Sequence, residues 1–538
     1  MTTGPGDPAA AGGASVVPET LPWALPSALP VTLPVPETAE GVLVVVALVL
    51  LTAVAAVRLS SRTGLPSLLL YLGLGVLLGE DVLGVEFDDE ELTQAIGYTA
   101  LALILAEGGL TTRWAAIKDQ LGPAASLATL GTVVSFLVTG LGAWLVLDVD
   151  LLTGLLLGAV VASTDSAAVF SVLRSVRLPR RLVGILEAES GLNDAPAVLA
   201  VLALTAAAAG RSDDPWWVSA LLAVLSLAVG VGVGLGVARL GAALLRRLAA
   251  PASGPFPLAV FAVLAVAYGG ATLLGGSGFI SVYVAALVLG NARLPHGGAT
   301  RGFATSLGWF AQIGLFVLLG LLATPSRLPE AIGPALLITA VLVLLARPAS
   351  VVVSTVWFRV PWRDQAFLSW AGLRGAVPIV LATIPILEGV TGSRRIFDVV
   401  FVVVVVSVLL QAPTLPWLAR RLGLQEDEAT DMDVESTPLG RMGADLLEVQ
   451  VHERSRLHGV TVQELRLPKP AHVSLVVRPD GALVPTPTTV LRRGDAVLVV
   501  TTPAIRETVE RRIRAVSEGG RLAGWGEPGG TDGRRRPG

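Results

Sequence analysis

Long apolar runs, separated by short polar gaps, follow one another through the first 421 residues. As a helix, a run needs roughly 20 residues to cross a ~30 Å hydrocarbon layer, and fewer where its flanks snorkel. The runs that meet this condition lie at 42–57, 65–79, 93–110, 121–146, 151–173, 184–209, 216–238, 256–274, 277–290, 304–323, 331–358, 365–388 and 396–419. The pattern predicts an all-α polytopic membrane protein of about 13 transmembrane helices.

The polar gaps differ in their basic residues. Every second gap, taken with the flank after the last run, contains Lys or Arg, 17 in total, whereas the other gaps and the N-terminal tail hold four. Cytoplasmic loops carry the excess of basic residues. The bias predicts an external N-terminus, a cytoplasmic C-terminus and an odd helix count, with the chain in the plasma (inner) membrane.

The pattern changes after the last run. Residues 445–516 alternate apolar and polar positions on both sides of a Pro-Asp-Gly turn at 479–481, and 503–516 have helical spacing, which predicts a small α+β domain. The predicted organisation is a disordered extracytoplasmic tail without a cleavable signal (1–40), a transmembrane domain (41–421), an acidic linker (422–444), a cytoplasmic domain (445–516) and a disordered tail (517–538).

Composition excludes several functions. Only 15% of the residues are charged, against about 25% in soluble proteins, and the net charge of −3 provides no basic field for nucleic acid. The chain has no Cys, and its four His lie outside the apolar runs, so we expect no resident metal site. No Ser/His/Asp arrangement or nucleotide motif is evident, and we expect neither an enzyme nor a cofactor.

Six ionisable residues nevertheless stand out inside the apolar runs. Charge costs several kcal/mol in hydrocarbon, so such residues are functional candidates. They are Glu107, Asp165, Glu189, Asp194, Arg347 and Arg374, and Glu187 is a seventh, nearer the start of its helix.

The segment 187–194 contains two pairs at i, i+4 spacing, Glu189 with Asn193 and Ser190 with Asp194. Residues at that spacing share a helix face. Carboxylate, amide and hydroxyl oxygens suit Na⁺ and K⁺ by the logic that governs harder cations. Burial favours the neutral form of a carboxyl group, so a single Asp can hold either a cation or a proton. Competition between the two at Asp194 is the chemistry of exchange.

Two other segments predict interrupted helices. Residues 162–166 combine three hydroxyls with a carboxylate, and 370–378 place two glycines and a proline around an arginine. Free backbone groups at membrane depth require protein or water around them, and paired interruptions indicate a transporter's binding site. Asp165 and Arg374 could neutralise opposite half-helix ends. We predict that Arg374 also forms a structural ion pair with Glu189.

Other candidates keep two interpretations. Ser163 and Ser166 could be ligands, or could bond a carbonyl or another helix. Arg347, before Pro348, could mark a kink or serve as a charge partner. Glu107, at the end of its run, could belong to the ion site or lie at the interface.

Three motifs resemble one family. Ser-Thr-Asp at 163–165, Glu-Ala-Glu-Ser-Gly-Leu-Asn-Asp at 187–194 and Gly-Leu-Arg-Gly-Ala-Val-Pro at 372–378 are similar to the signatures of the monovalent cation:proton antiporter-1 family. The similarity covers 40–421 and is greatest to the NhaP-type bacterial members of the potassium/proton branch.

The resemblance implies a homodimer of thirteen-helix protomers in inverted repeats, with a dimerisation domain, a mobile core and alternating access. It places the cation- and proton-binding aspartate at Asp194 and the family's glutamate–arginine pair at Glu189 and Arg374. In the family, Asn at the position of Asn193 accompanies electroneutral exchange. The accompanying groups fall on Asn193, Ser190, Thr164, Asp165 and Glu107.

Residues 445–516, especially 491–500, resemble the TrkA-C or RCK-C regulatory domain of potassium-transport systems. The resemblance implies a small regulatory ligand, and it favours K⁺ over Na⁺ as the cation exchanged for external H⁺. No strand followed by G-x-G-x-x-G occurs, so we predict no NAD binding.

Two hypotheses of other classes remain. A ligand-gated cation channel would need a filter such as T-V-G-Y-G, and the Ile-Gly-Tyr-Thr at 96–99 lacks the second glycine. A non-transporting membrane sensor would leave the intramembrane charges unexplained. An Na⁺/H⁺ antiporter is the alternative within the same class.

Overall fold

The computed structural model describes residues 39–63, 66–84, 90–173, 176, 178–211, 215–247, 254–292, 294–425, 445–451, 455–478 and 480–522. Its contacts divide the chain into two compact units, Met1–Asp427 and Glu428–Gly538. Most of the predicted tails, the linker beyond 425 and Pro479 of the predicted turn lie outside the described residues.

The described part of the first unit is helical. Its helices are α1 (Ala39–Thr63), α2 (Ser67–Leu78), α3 (Glu90–Thr111), α4 (Trp114–Ile117), α5 (Leu121–Ser126), α6 (Thr132–Leu147), α7 (Leu151–Val160), α8 (Ser166–Val172), α9 (Arg180–Ala208), α10 (Trp216–Arg247), α11 (Pro255–Leu273), α12 (Gly278–Asn291), α13 (Gly297–Leu321), α14 (Leu328–Val341), α15 (Arg347–Thr355), α16 (Trp362–Trp370), α17 (Ala376–Leu387), α18 (Ser393–Gln411) and α19 (Leu415–Arg421).

Among the described residues, seven continuous helical stretches are long and apolar enough to cross a membrane, and further apolar helices are shorter. Large apolar side chains such as Leu273, 89% exposed, and Leu240, 75% exposed, face outward, as a lipid environment requires. The predicted polytopic class is confirmed, whereas the count of thirteen stays a prediction. The seven stretches are Trp114–Leu147, Arg180–Ala208, Trp216–Arg247, Pro255–Leu273, Gly297–Leu321, Leu328–Phe358 and Ser393–Arg421.

Both predicted interruptions are present. Helix α7 ends at Val160 and α8 begins at Ser166, while α16 ends at Trp370 and α17 begins at Ala376. The breaks, 161–165 and 371–375, touch: the Asp165 N–H donates to the Leu373 carbonyl oxygen over 2.8 Å. Each break therefore satisfies backbone groups that the other exposes.

The order of elements occurs twice along the chain. Each copy has a long helix with a π-helical turn, then an interrupted helix, then another long helix, over 114–208 and 328–421. The π-turns are 127–131, between α5 and α6, and 342–346, between α14 and α15. The two long helices that contain the π-turns, 114–147 and 328–358, contact each other. The Ser350 hydroxyl of one donates to the Gly131 carbonyl oxygen of the other over 2.8 Å. Such an internal repeat is typical of transporter folds.

The second unit contains a four-stranded antiparallel sheet. Its elements are β1 (Asp445–Gln450), β2 (His472–Arg478), β3 (Gly481–Leu483), β4 (Ala496–Thr501) and α20 (Arg506–Gly519), and the strand order is β1-β4-β2-β3. The predicted α+β class is confirmed.

The core of the second unit combines sheet and helix residues such as Val476, Val499 and Val509, all fully buried. Helix α20 continues three residues into the predicted tail, because Val516 still packs in this core. Gly520, with φ of 72°, then ends the helix.

Candidate ion-binding site

Helix α9 carries a buried polar face near the middle of its 29 residues. Glu189, Asn193 and Asp194 are only 2%, 1% and 5% exposed. Pro196 lies inside the same helix and has no N–H, so the helical bond to the carbonyl of Leu192 cannot form. The helix therefore presents carboxylate, amide and a freed carbonyl oxygen within about one turn.

The first break faces this surface with its hydroxyls. Ser163 donates to Asp194 Oδ1. Asn193 Nδ2 donates to Thr164 Oγ1 over 2.6 Å, and Thr164 in turn donates to Glu189 Oε1 over 3.3 Å. Asn193 Oδ1 has no hydrogen-bond partner among the residues that the structure describes, which leaves one buried acceptor oxygen available.

Glu189 forms its ion pair with Arg347, and the predicted pair with Arg374 is wrong. Arg347 Nη1 lies 2.6 Å from Glu189 Oε1, and its Nη2 donates to Oε2 over 3.0 Å. Both side chains are at least 95% buried, so the two charges compensate each other away from water. The sequence left two interpretations for Arg347, a kink before Pro348 or a charge partner. The structure makes it the charge partner of Glu189. Pro348 is the second residue of α15, which begins directly after the π-turn.

Arg374 instead binds the end of a half-helix. Its Nη1 donates to the Ala162 and Ser163 carbonyl oxygens, both over 2.7 Å. These carbonyls follow the C-terminus of α7, where the helix dipole is negative. Nη1 is thus directed to the first break. The positive charge of Arg374, in the second break, therefore neutralises the negative end of α7.

Asp165 performs the opposite task at the start of α8. Its Oδ1 accepts from the Ala167 and Ala168 N–H groups over 2.9 and 3.2 Å. The carboxylate caps the positive N-terminal end of the half-helix. Asp165 and Arg374 therefore neutralise opposite half-helix ends, as the sequence suggested.

A cavity of about 200 Å³ adjoins these groups. Asp194 lines it, and Glu107, half-buried on α3, belongs to the lining and not to an isolated interface. Ser190 also lines it, and its hydroxyl accepts the Ser166 N–H over 3.2 Å. Asn193 lies behind the lining. The predicted site residues Asp194, Asp165, Thr164, Ser190 and Glu107 share this cavity.

Further lining residues had weak or no sequence signals. Glu187, one turn before Ser190, was noted only as lying near its helix start, and Gln312 and Tyr283 had no motif. Ser163, left open, contacts the central carboxylate directly. Carboxylate, hydroxyl and amide side chains thus line part of a largely apolar cavity, and their oxygen atoms are of the kind that alkali cations accept.

Interrupted helices that cross at a buried carboxylate define a membrane protein of the secondary-transporter class. The family model "Sodium/hydrogen exchanger, transmembrane" matches residues 46–421, and the TrkA-C domain model matches 446–514. The chain belongs to the sodium/hydrogen exchanger family and carries a TrkA-C domain.

Named relatives agree with this membership. The chain is 38% identical to the "K(+)/H(+) antiporter NhaP" of Alkalimonas amylolytica over 85% of this chain and 80% of that protein. It is 36% identical to the "K(+)/H(+) antiporter NhaP2" of Shewanella baltica over 84% and 79%. The "Na(+)/H(+) antiporter ApNhaP" of Aphanothece halophytica is 29% identical over 67% and 70%.

A solved structure gives the same fold. The sodium proton antiporter MjNhaP1 from Methanocaldococcus jannaschii matches with a TM-score of 0.62, over 71% of this chain and 98% of that chain, at 23% identity. At that identity the likeness concerns the fold alone.

Proposed function

We propose that this protein exchanges cytoplasmic K⁺ for external H⁺, one for one, by alternating access to a single site at Asp194. The observation that carries the proposal is the position of that carboxylate. It is 5% exposed, accepts a hydrogen bond from Ser163 in the first break, and lines a cavity of about 200 Å³ together with other oxygen donors.

One carboxylate that holds either a proton or a cation couples the two fluxes. A bare charge at this depth is costly, so Asp194 moves between the two faces only when neutralised by H⁺ or by a monovalent cation. Asn193 adds no charge, and the Asp165 carboxylate is committed to the start of α8. One charge is therefore exchanged for one charge, which supports electroneutral transport.

Potassium is favoured over sodium by two considerations. The relatives at 38% and 36% identity are named K⁺/H⁺ antiporters, and the C-terminal domain is of the TrkA-C type. Na⁺/H⁺ exchange is the second candidate, favoured by the 29% identical relative that is named an Na⁺/H⁺ antiporter.

The remaining organisation belongs to the same proposal. Residues 41–421 carry exchange, and 445–516 regulate it through a small ligand. The protein is a homodimer in the plasma (inner) membrane, with its N-terminus outside and its C-terminus in the cytoplasm, as the basic residues in alternate gaps support. Ion gradients supply the energy, without a catalytic centre or cofactor.

Asp194→Asn tests the proposal. The amide neither releases a proton nor pairs with a cation, so exchange is expected to stop. The measurement is the K⁺-dependent pH change inside proteoliposomes that contain a pH-sensitive dye. Exchange by Asp194→Asn at the wild-type rate would show that the site is elsewhere.

Asp398→Asn is the matched control. Asp398 is also a buried aspartate, 7% exposed on α18, but it lines a different cavity, with Arg327 and Arg394. This variant is expected to keep exchange. A series of K⁺, Na⁺, Li⁺ and Rb⁺ on both the full chain and one shortened to residue 421 then gives the selectivity and the effect of the C-terminal domain.

A further inference from the structure

Tyr283 on α12 lines the cation cavity and carries an uncommitted buried hydroxyl. The side chain is 2% exposed, and its oxygen has no hydrogen-bond partner in the part of the chain that the structure describes. The same residue lines the cavity beside Asp194 and Ser190. A buried hydroxyl without a hydrogen-bond partner is energetically costly, so such a group calls for a functional explanation.

The glycine opposite the ring fixes its position. A Cβ added at Gly191 would lie 2.6 Å from the Tyr283 hydroxyl oxygen and closer still to the ring. Gly191 precedes Asp194 by three residues, about 4.5 Å along the helix axis. The phenol therefore rests on α9 within one turn of the central carboxylate, on the side that faces the cavity.

We propose that the Tyr283 hydroxyl is a further cation-site group, which binds the transported K⁺ through its oxygen, directly or through one water, and so helps to set cation affinity and selectivity. This inference rests on the proposed function and deepens it. A phenol oxygen is a neutral ligand that accepts from a cation's hydration shell or replaces part of it. It adds affinity without adding charge, so the one-for-one exchange at Asp194 is unchanged.

Tyr283→Phe removes only the oxygen and keeps the ring against Gly191. The apparent KM for K⁺ is expected to rise about fivefold, the size of one net hydrogen bond, with little change in maximal rate. The rate ratios among K⁺, Na⁺, Li⁺ and Rb⁺ are expected to change as well. The assay is cation-dependent pH change in proteoliposomes, with folding checked by size-exclusion chromatography and thermal melting.

Tyr268→Phe is the matched control. Tyr268, on the neighbouring helix α11, packs edge-on against Phe279 at 5.4 Å and does not line the cavity. Its variant is expected to keep the wild-type KM and cation series. If Tyr283→Phe matches wild type or the control in both, the ring is only packing and the inference is overturned.

Gly191→Ala provides a second, independent variant. Alanine is a better helix former than glycine, so a defect would come from the methyl group that displaces the ring. The KM for K⁺ is expected to rise in the wild-type background, and not to rise further in Tyr283→Ala, where the methyl finds room. A rise of equal size in both backgrounds would contradict the proposed contact.

The outcomes separate this inference from the proposed function. If Asp194→Asn loses exchange while Tyr283→Phe keeps the wild-type KM and cation series, the inference about Tyr283 is refuted and the proposed function is not. Absence of cation-dependent pH change in the wild-type protein refutes the proposed function, and the tyrosine inference with it.

Discussion

The two interrupted helices use the same backbone device for different tasks. The first break, 161–165, turns two hydroxyls and a carboxylate toward α9 and the start of α8. The second, 371–375, contributes one guanidinium, directed to the carbonyls of the first. In the proposed exchange mechanism the first break therefore provides the ligands, while the second break holds the first in place.

Glycine makes the second break compact enough for this task. A Cβ at Gly372 would lie 2.5 Å from Arg347 Nε, and one at Gly375 would collide with the Asp165 carboxylate. The second break thus lies against the charged groups of both the ion pair and the α8 cap. This close approach explains why glycines occupy positions 372 and 375.

Arg374→Ala should have the largest effect, because it removes the side-chain hydrogen bonds between the breaks. Two buried carbonyls lose a charged donor, and each such bond contributes about 1.5–3 kcal/mol. We expect a large fall in the melting temperature of the detergent-purified protein and loss of exchange. A variant that melts with wild type would show that the second break does not hold the first.

The ion pair is tested next by double-mutant cycles. Glu189→Gln and Arg347→Gln each leave an uncompensated buried charge, whereas the double variant leaves none. We expect a coupling energy of about 1–3 kcal/mol from detergent-solubilised stability measurements. The same cycle on Glu189 and Arg374 should give a smaller coupling, and the reverse order would favour the pair predicted from sequence.

Ser163→Ala should have a smaller effect, confined to the ligand side of the comparison. It removes the hydroxyl that donates to Asp194 Oδ1, at a net cost of about 1 kcal/mol. The KM for K⁺ in proteoliposomes is expected to rise several-fold. Ser171→Ala on α8 is the control, since that hydroxyl only bonds the Ala168 carbonyl, over 2.7 Å. If Ser163→Ala has the same KM for K⁺ as wild type and Ser171→Ala, Ser163 has only a structural role.

The smallest effect is expected at Glu464, an exposed counterpart of the Asp165 cap. The Thr461 N–H donates to Glu464 over 2.8 Å, and this bond lowers the pKa of the carboxyl below its ordinary 4.5. The stabilisation is complete above pH 4.5 and is lost as the pH falls toward the lowered folded-state pKa. Hydrogen exchange of Thr461 in the full chain should differ slightly between wild type and Glu464→Gln at pH 7. A difference that persists unchanged at low pH would contradict this assignment.

The sequence predicted backbone features more reliably than side-chain partners. Both interruptions follow from local composition, since glycine, proline and hydroxyl residues within apolar runs disfavour a continuous helix. The i, i+4 spacing likewise placed Glu189 and Asn193 on one helix face. These properties are local and require no knowledge of how helices cross.

Partner choice depends on that crossing. Both Arg347 and Arg374 are buried arginines in the second half of the chain, and spacing alone could not decide which one reaches Glu189. The structure directs Arg374 to carbonyls because the two breaks touch, a contact that sequence periodicity does not encode. Tyr283 was missed for the same reason, because the role proposed for it depends on α12 lying beside Gly191.

The π-turn at 342–346 sets which way Arg347 points. A π-turn accommodates a surplus residue within a helix, and each residue of an α-helix advances the direction of side chains by roughly 100°. Without the surplus residue, everything after the turn would be rotated by about that angle, and the guanidinium would face away from its carboxylate. The additional residue changes the rotation of the helix about its axis. One long helix can therefore pack against its neighbours before the turn and direct Arg347 to Glu189 after it.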